Sequence, residues 1–89
     1  MWYVYIVKCS DKTLYTGATI DVHRRVREHN ESRKGAKYTR SRRPVKLVAF
    51  CPVKDRSAAL RLEHKIKKLK RGEKIAYLLK EAGNDLEGS

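Results

Sequence analysis

Residues 15–29 read Tyr-Thr-Gly-Ala-Thr-Ile-Asp-Val-His-Arg-Arg-Val-Arg-Glu-His, and this stretch decides the fold. It predicts a short strand, residues 14–16, that ends at Gly17. A helix is predicted to begin at Asp21, because an aspartate accepts the free N–H groups of a first helical turn and its charge suits the positive helix end. One face of this helix carries two apolar and two polar residues, spaced three or four apart: Val22, Arg25, Val26 and His29.

An Arg and a His that face the end of a Tyr-bearing strand indicate an anion-handling site. Arg25 offers a rigid fork of N–H donors that matches the oxygens of a phosphate group. The alternative is an ordinary basic amphipathic helix in which Arg25 merely extends its charged end to solvent. This stretch by itself leaves both interpretations open.

A first strand precedes the stretch. Residues 2–7, Trp-Tyr-Val-Tyr-Ile-Val, are aromatic or β-branched, as in a strand that is covered on both faces. Turn residues follow at 10–12, so residues 13–16 are predicted to return as an antiparallel partner. An odd-length loop puts Tyr5 and Tyr15 on one face of the sheet, whereas an even-length loop without a bulge separates them. The sequence leaves this register open.

The second half of the chain predicts one more strand and two helices. Residues 45–50 form an apolar strand closed by Pro52, and Asp55 or Ser57 can cap the next helix. That helix carries an apolar stripe at helical spacing, and Gly72 is predicted to break it before a last helix over 73–82. The predicted fold class is α+β: a three-stranded, mainly antiparallel sheet flanked by helices in the order β-β-α-β-α-α. It forms a single domain over residues 1–83, with a frayed tail over 84–89.

The charge balance favours a polyanionic partner. Twenty-two Lys and Arg against ten Asp and Glu give a formal net charge of +12 over 89 residues. Nucleic acid is the natural partner of so basic a small domain, and counterion release would make its binding strongly salt-dependent. The alternatives are a well-solvated basic protein and one associated with the ribosome.

Other sequence features exclude several classes of protein. No apolar run approaches the roughly 20 residues that span a bilayer, and no signal-peptide pattern is present, so we expect a cytoplasmic protein without a membrane partner. The two cysteines and three histidines have no common zinc spacing. Free thiols at Cys9 and Cys51 are therefore expected in preference to a zinc site or a disulfide.

The run from residue 33 to residue 46 contains seven Lys and Arg and no acidic residue. Such a run is either a solvated loop or a mobile clamp on a phosphate backbone, in which a tyrosine can stack on a base or contact a phosphate. The nucleic-acid contacts predicted in this basic loop are Lys37, Tyr38, Arg40, Arg42 and Arg43.

Glu63 borders the apolar stripe of the penultimate helix. An acid so close to the buried side needs a partner. The structural interpretation is a salt bridge with Arg61, Lys67 or another base of this helix. The functional interpretation is a carboxylate ligand for one hard divalent cation.

Together these elements resemble the GIY-YIG nuclease family. Val4-Tyr5 stands where the first family motif ends, Tyr15-Thr16-Gly17 stands for the second, and Arg25 follows eight residues later, as in the family. His29, the segment Gly-Ala-Lys-Tyr-Thr-Arg over 35–40, and Glu63 complete the pattern. The likeness covers about residues 2–75 and is strongest to small, stand-alone, single-domain members.

The resemblance implies a metal-dependent endonuclease that hydrolyses DNA phosphodiester bonds. Tyr5 is then expected to activate water with help from Tyr15 and His29. Arg25 would hold the scissile phosphate, and Glu63 would coordinate one Mg²⁺ or Mn²⁺ ion. A tyrosine has an ordinary pKa near 10, so a cation or an Arg nearby is expected to lower it.

The chain also departs from the family pattern. Thr16 replaces an apolar residue in the second motif, and the first motif keeps only its Tyr. Gly17 is expected to be structural, allowing close backbone approach. No attached DNA-binding domain is evident, so the expected choice of DNA is structure-selective or weakly sequence-specific, in repair or processing.

Two other functions stay open. One is a catalytically weak nucleic-acid-binding module of the same fold, and the other is a protein that works only within a larger complex and docks to RNA. DNA is the expected partner, with RNA as the other candidate. The protein is expected to be a monomer or a weak oligomer.

Overall fold

The computed structural model describes residues 1–83, which form a three-stranded sheet with helices on both faces. The elements are β1 (Trp2–Lys8), β2 (Leu14–Thr19), α1 (Val22–Glu31), the one-turn α2 (Lys37–Arg40), β3 (Lys46–Val53), α3 (Arg56–Lys67) and α4 (Arg71–Glu81). The central strand, β1, is antiparallel to both neighbours in the order β2-β1-β3. The α+β class and the element order are confirmed, and α2 is an addition within the basic loop. The predicted tail, residues 84–89, lies outside the described residues.

Alternate residues of β1 serve two separate hydrophobic clusters. Val4 and Ile6 belong to a cluster with α3 and α4, whereas Tyr5 and Val7 belong to a cluster that includes Val22 of α1. This division follows from the two-residue period of a strand, which points successive side chains to opposite faces. The apolar sequence of β1 is thus explained by its being covered on both sides.

The register of β1 and β2 puts both site tyrosines on one face. Lys8 pairs with Leu14, Val7 with Tyr15 and Tyr5 with Gly17. The connection is therefore odd in length, and Tyr15 lies on the same side of the sheet as Tyr5. The prediction that this strand ends at Gly17 is wrong. Gly17 pairs with Tyr5, and the pairing with β1 continues β2 to Thr19.

Helix boundaries follow from side-chain caps. The Asp21 carboxylate accepts the Arg24 N–H at 3.0 Å, and the Asp55 carboxylate accepts the Ala58 N–H at 2.8 Å, so both predicted aspartate caps are confirmed. The predicted break at Gly72 is wrong. Glu73 accepts the Lys70 N–H at 3.2 Å, which starts α4 before Gly72 and places the break between α3 and Lys70.

The cysteines and the helix lengths bear on two further predictions. Cys9 and Cys51 are both buried and free, so the prediction of free thiols is confirmed. Within residues 1–83, none of the helices combines the length and the apolar character that crossing a bilayer demands.

Candidate active site

The central strand and α1 bring Tyr5 and His29 into direct contact. Tyr5 Oη lies 2.7 Å from His29 Nε2. The Tyr5 side chain lies in the sheet face that α1 covers, and His29 lies in the last turn of α1. Tyr5 is 1% exposed and His29 is 0% exposed, so this hydrogen bond is closed off from solvent.

Burial keeps both partners of this hydrogen bond neutral. Desolvation raises the pKa of Tyr5 far above its ordinary value, and the nearby Tyr15 and Glu63 act in the same direction, against the lowering effect of Arg25. Desolvation lowers the pKa of His29 to about 4, and the positive charge of Arg25 contributes to this. The expectation of a lowered tyrosine pKa is therefore wrong for Tyr5, because its burial outweighs the neighbouring Arg.

Tyr15 is the half-buried centre of an aromatic cluster. Its ring centroid lies 6.4 Å from that of Tyr5, 5.2 Å from that of His29, where the rings meet edge-on, and 5.9 Å from that of Tyr38, on which it stacks. The guanidinium of Arg42 lies over the Tyr38 ring, 4.1 Å from its centroid. Tyr38 is 40% exposed, but a base that stacks on it competes with Arg42.

Gly17 allows the Tyr5 ring to lie directly against β2. A Cβ atom at position 17 would stand 2.5 Å from Tyr5 Oη and 2.7 Å from Cζ of the same ring. No atom pair of this kind tolerates so short a distance, so any side chain at position 17 displaces the Tyr5 ring.

Arg25 is held in place by α1 and the chain that follows it. Its guanidinium donates to the Glu28 carboxylate at 2.9 Å and to the Lys34 carbonyl at 2.7 Å. The hydrogen bond from Arg25 in turn lowers the pKa of Glu28. Arg25 lies one turn before His29 on α1, and its positive charge acts to lower the pKa of both Tyr5 and His29. A phosphate bound by Arg25 would take over the donor that Glu28 now occupies.

Glu63 belongs to α3, on the face of the sheet opposite the Tyr5 ring. Its α3 packs against the face that carries Val4 and Ile6, yet its charge raises the pKa of Tyr5. The Glu63 side chain is 16% exposed, and its carboxylate forms a salt bridge of 2.8 Å with Lys67. The structural interpretation of Glu63 as a salt-bridge partner is thus realised through Lys67.

Glu63 fits a divalent cation only as one ligand among several. Within residues 1–83, no group of three or more His, Cys, Asp or Glu side chains is placed to hold a metal ion. A single carboxylate suits Mg²⁺, which keeps several waters and takes further ligands from substrate phosphates. Such an ion would replace the Lys67 ammonium beside Glu63.

The basic loop is braced by its own arginines. Arg42 donates to the Asp11 carboxylate at 3.0 Å, and Arg43 donates to the backbone carbonyls of His29 and Ser32. Arg43 thereby satisfies carbonyl groups at the end of α1. Of the five predicted contacts, Lys37, Tyr38 and Arg40 are exposed, although Arg40 also donates to the Arg33 carbonyl at 3.1 Å.

Two residues of the site region were not singled out by sequence reasoning. Thr39 is fully buried, and its hydroxyl lies 2.9 Å from His29 Nδ1. Asn30 exchanges two hydrogen bonds with the backbone of Val45, which joins α1 to the start of β3. Thr39 lies within the quoted segment 35–40, so that segment was a signal, whereas no pattern marked Asn30.

A family comparison gives this geometry its context. Residues 1–76 match the GIY-YIG catalytic domain family, which covers most of the chain. The chain belongs to the GIY-YIG family. Membership implies a nuclease ancestry and a nucleic-acid substrate.

Relatives of this GIY-YIG protein are equally small. A UPF0213 protein of Syntrophus aciditrophicus is 56% identical over 76 residues, which cover 85% of this chain and 87% of that protein. A UPF0213 protein of Haloquadratum walsbyi is 58% identical over 84 residues, covering 94% and 91%. The solution NMR structure of a UPF0213 protein from Bacillus halodurans is similar with a TM-score of 0.54, 41% identity and 97% coverage of both chains. The relatives support the fold and the family, and their names specify no activity.

Proposed function

We propose that this protein is a cytoplasmic endonuclease that hydrolyses DNA phosphodiester bonds with the help of one divalent cation, Mg²⁺ or Mn²⁺. Its choice of DNA would be structure-selective or weakly sequence-specific, in repair or processing. The observation that carries this proposal is the contact of three side chains from β1, β2 and α1: Tyr5, Tyr15 and His29. Arg25 belongs to the same helix as His29, and Glu63 belongs to α3 on the other face of the sheet. Phosphodiester hydrolysis needs an activated water and neutralisation of the charge on the phosphoryl oxygens, which a tyrosine, an Arg and a metal-binding carboxylate can supply.

The accessible tyrosine is Tyr15. The Tyr5 hydroxyl is buried and bonded to His29, so it is poorly placed to meet a water molecule. Tyr15 is half-buried and contacts His29 through its ring. We therefore assign contact with the attacking water to Tyr15, and to Tyr5 and His29 the orientation of Tyr15. This division differs from the expectation that Tyr5 itself activates water.

Arg25 and Glu63 would act on the phosphate. The guanidinium of Arg25 matches two phosphoryl oxygens and stabilises the charge that develops on them in the transition state. A divalent cation at Glu63 supplies further neutralisation of that charge. The 2.9 Å hydrogen bond from Arg25 to Glu28 holds the Arg25 side chain in place before the phosphate arrives.

One observation favours the alternative of a binding module without activity. The Glu63 carboxylate has a satisfied ion pair with Lys67 in the free protein, as an ordinary helix-surface pair would. For an endonuclease, removal of the Glu63 charge should abolish cleavage. For a binding module, it should affect only the stability of α3.

We expect Glu63→Gln to reduce nicking of supercoiled plasmid by about 100-fold or more, because loss of a charged transition-state contact typically costs 10²–10³ in rate. The wild-type protein should nick with Mg²⁺ or Mn²⁺ and should stop nicking when a chelator is added. Binding of a branched oligonucleotide should persist in Glu63→Gln, since the variant removes a negative charge.

Glu31→Gln is the matched control, because Glu31 is an exposed acid at the end of α1. It should nick at the wild-type rate. Cleavage that survives in Glu63→Gln points to a contaminating nuclease or to a different site. Binding without any wild-type cleavage, over all metals and DNA structures tried, supports the module instead.

We expect the exposed cations of the basic loop to set the salt dependence of DNA binding. Lys37→Gln with Arg40→Gln should lower the slope of log K against log salt by about 2, close to one per lost phosphate contact. Arg43→Gln should instead reduce thermal stability, because it removes the bonds to the carbonyls of His29 and Ser32. Fluorescence anisotropy at four salt concentrations measures the slope.

Lys54→Gln with Lys80→Gln provides a control of equal charge. Both lysines are exposed; Lys54 follows the end of β3 that pairs with Trp2, and Lys80 lies on α4. An equal fall in slope for both double variants would show that net charge, and not the loop, governs binding.

A further inference from the structure

The segment Gly35–Thr39 packs directly onto His29. A Cβ atom at position 35 would lie 2.8 Å from both the Glu28 carbonyl oxygen and His29 Cα. The backbone of this segment therefore touches α1 as closely as a chain can. This contact makes the segment part of the His29 environment, in addition to any role as a surface loop.

Thr39 links this segment to the His29 ring. Its Oγ1 lies 2.9 Å from His29 Nδ1 and 2.9 Å from the Ala36 carbonyl oxygen. The Ala36 N–H points to the same Nδ1 atom at a longer distance, 3.4 Å. Thr39 and His29 are both 0% exposed, so protein groups alone satisfy these atoms.

The number of available protons decides the direction of each bond. A threonine hydroxyl has one proton, and the Ala36 carbonyl can only accept it. When the Thr39 proton is given to Ala36, His29 Nδ1 must carry a proton and donate it to Thr39 Oγ1. His29 Nε2 is then unprotonated and accepts the proton of the Tyr5 hydroxyl, 2.7 Å away.

The opposite tautomer satisfies the same number of donors, but it exchanges a short buried hydrogen bond for a long one. With the proton on Nε2, His29 donates to Tyr5 Oη, and the buried Tyr5 hydroxyl proton loses the acceptor that this geometry provides. The gain would be a bond from the Ala36 N–H to Nδ1, but at 3.4 Å that is the longest contact around the ring. A buried donor without an acceptor is disfavoured more than a long backbone contact.

We propose that Thr39 is a positioning residue that holds His29 as the Nδ1–H tautomer, so that Tyr5 donates to His29 Nε2. The chain of donation then runs from Tyr5 through His29 and Thr39 to the Ala36 carbonyl. Its end at a backbone carbonyl fixes the direction of every bond and the rotation of the His29 ring. The consequence for catalysis rests on the proposed function: the His29 ring packs edge-to-face with the Tyr15 ring, their centroids 5.2 Å apart, so its rotation affects Tyr15.

The test is the protonation pattern of the His29 ring in the free protein. We expect ¹⁵N-histidine NMR of the wild type to show a protonated Nδ1 and an unprotonated Nε2. Thr39→Val keeps the shape and removes the hydroxyl, so the Ala36 N–H becomes the only remaining partner of Nδ1. The ring should then shift measurably toward the Nε2–H tautomer, and Thr39→Ser should restore the wild-type pattern.

Thr19→Val is the matched control. Thr19 is also a buried threonine, and its hydroxyl bonds to the backbone of Asp21 and not to the His29 ring. This variant should leave the His29 tautomer unchanged. A wild-type His29 protonated at Nε2 overturns the proposal even when no Thr39 variant folds. An unshifted tautomer in folded Thr39→Val overturns it as well.

The nuclease reaction is a separate readout. If the protein cleaves DNA, kcat should fall at least tenfold in Thr39→Val and recover in Thr39→Ser, whereas Thr19→Val should cleave normally. A wild type that never cleaves DNA refutes the proposed function but leaves the tautomer result standing. A folded Thr39→Val with a shifted tautomer and full activity confirms the hydrogen-bond assignment and overturns its link to catalysis.

Discussion

Arg25→Ala should lower the DNA cleavage rate by on the order of 10³-fold, the largest effect that we expect on activity. Arg25 offers two parallel donors to a phosphate group, and its positive charge acts to lower the pKa of both Tyr5 and His29. Arg25→Lys should recover only part of the rate, because an ammonium is a point charge without the planar fork. Single-turnover cleavage of a labelled oligonucleotide measures the rate.

Arg24→Ala is the control for Arg25. Arg24 precedes it on α1, is about half exposed, and meets the same Glu28 carboxylate at the longer distance of 3.9 Å. We expect near wild-type cleavage in this variant. Because Arg25 also donates to the Lys34 carbonyl, urea unfolding must accompany the rate measurement. Equal losses of activity in both variants would assign the effect to surface charge and not to the position of Arg25.

Gly17→Ala should lower the free energy of unfolding by about 1–3 kcal/mol. The new Cβ would stand 2.5 Å from Tyr5 Oη, and the ring cannot retreat easily because it is buried and bonded to His29. The Tyr5–His29 hydrogen bond should lengthen or break, and the NMR chemical shifts of the His29 ring protons should change as a result. Urea unfolding gives the change in the free energy of unfolding.

Gly72→Ala adds the same methyl group where nothing lies within 4 Å. Since Gly72 is helical, alanine should leave the protein unchanged or stabilise it by up to about 1 kcal/mol. A Gly17→Ala protein as stable as Gly72→Ala would mean that the Tyr5 ring can move freely, and this would contradict its close packing between Gly17 and His29.

Local patterns in the sequence predicted most of the fold. The spacing of Val22, Val26 and His29 and the caps at Asp21 and Asp55 depend on residues within one helical turn, so they can be read without tertiary information. Gly72 failed as a helix breaker because the capping by Glu73 outweighed the low helix propensity of glycine. Intrinsic propensity is a weak guide where a cap competes with it.

The sequence indicated which residues are candidates for the site, but it did not indicate their burial or their protonation. The pairing of Tyr5 with Tyr15 depended on the parity of a loop, which composition does not determine. The raised pKa of Tyr5 depended on burial by residues far away in the chain. The charges of Arg42 and Arg43 were visible, but their engagement with Asp11 and with the end of α1 appears only when these segments meet in three dimensions.

The seven-residue strand β1 contributes both to the hydrophobic core and to the candidate site. Trp2, Val4 and Ile6 of β1 pack with α3 and α4, while Tyr5 contributes to the candidate site from the other side. A shift in the register of β1 by one residue would exchange its two faces, placing Tyr5 in the hydrophobic core against α3 and α4 and Ile6 beside His29. A domain with the wrong register of β1 would therefore lose both its core and its site. The contacts that fix this register are needed for the function as well as for the fold.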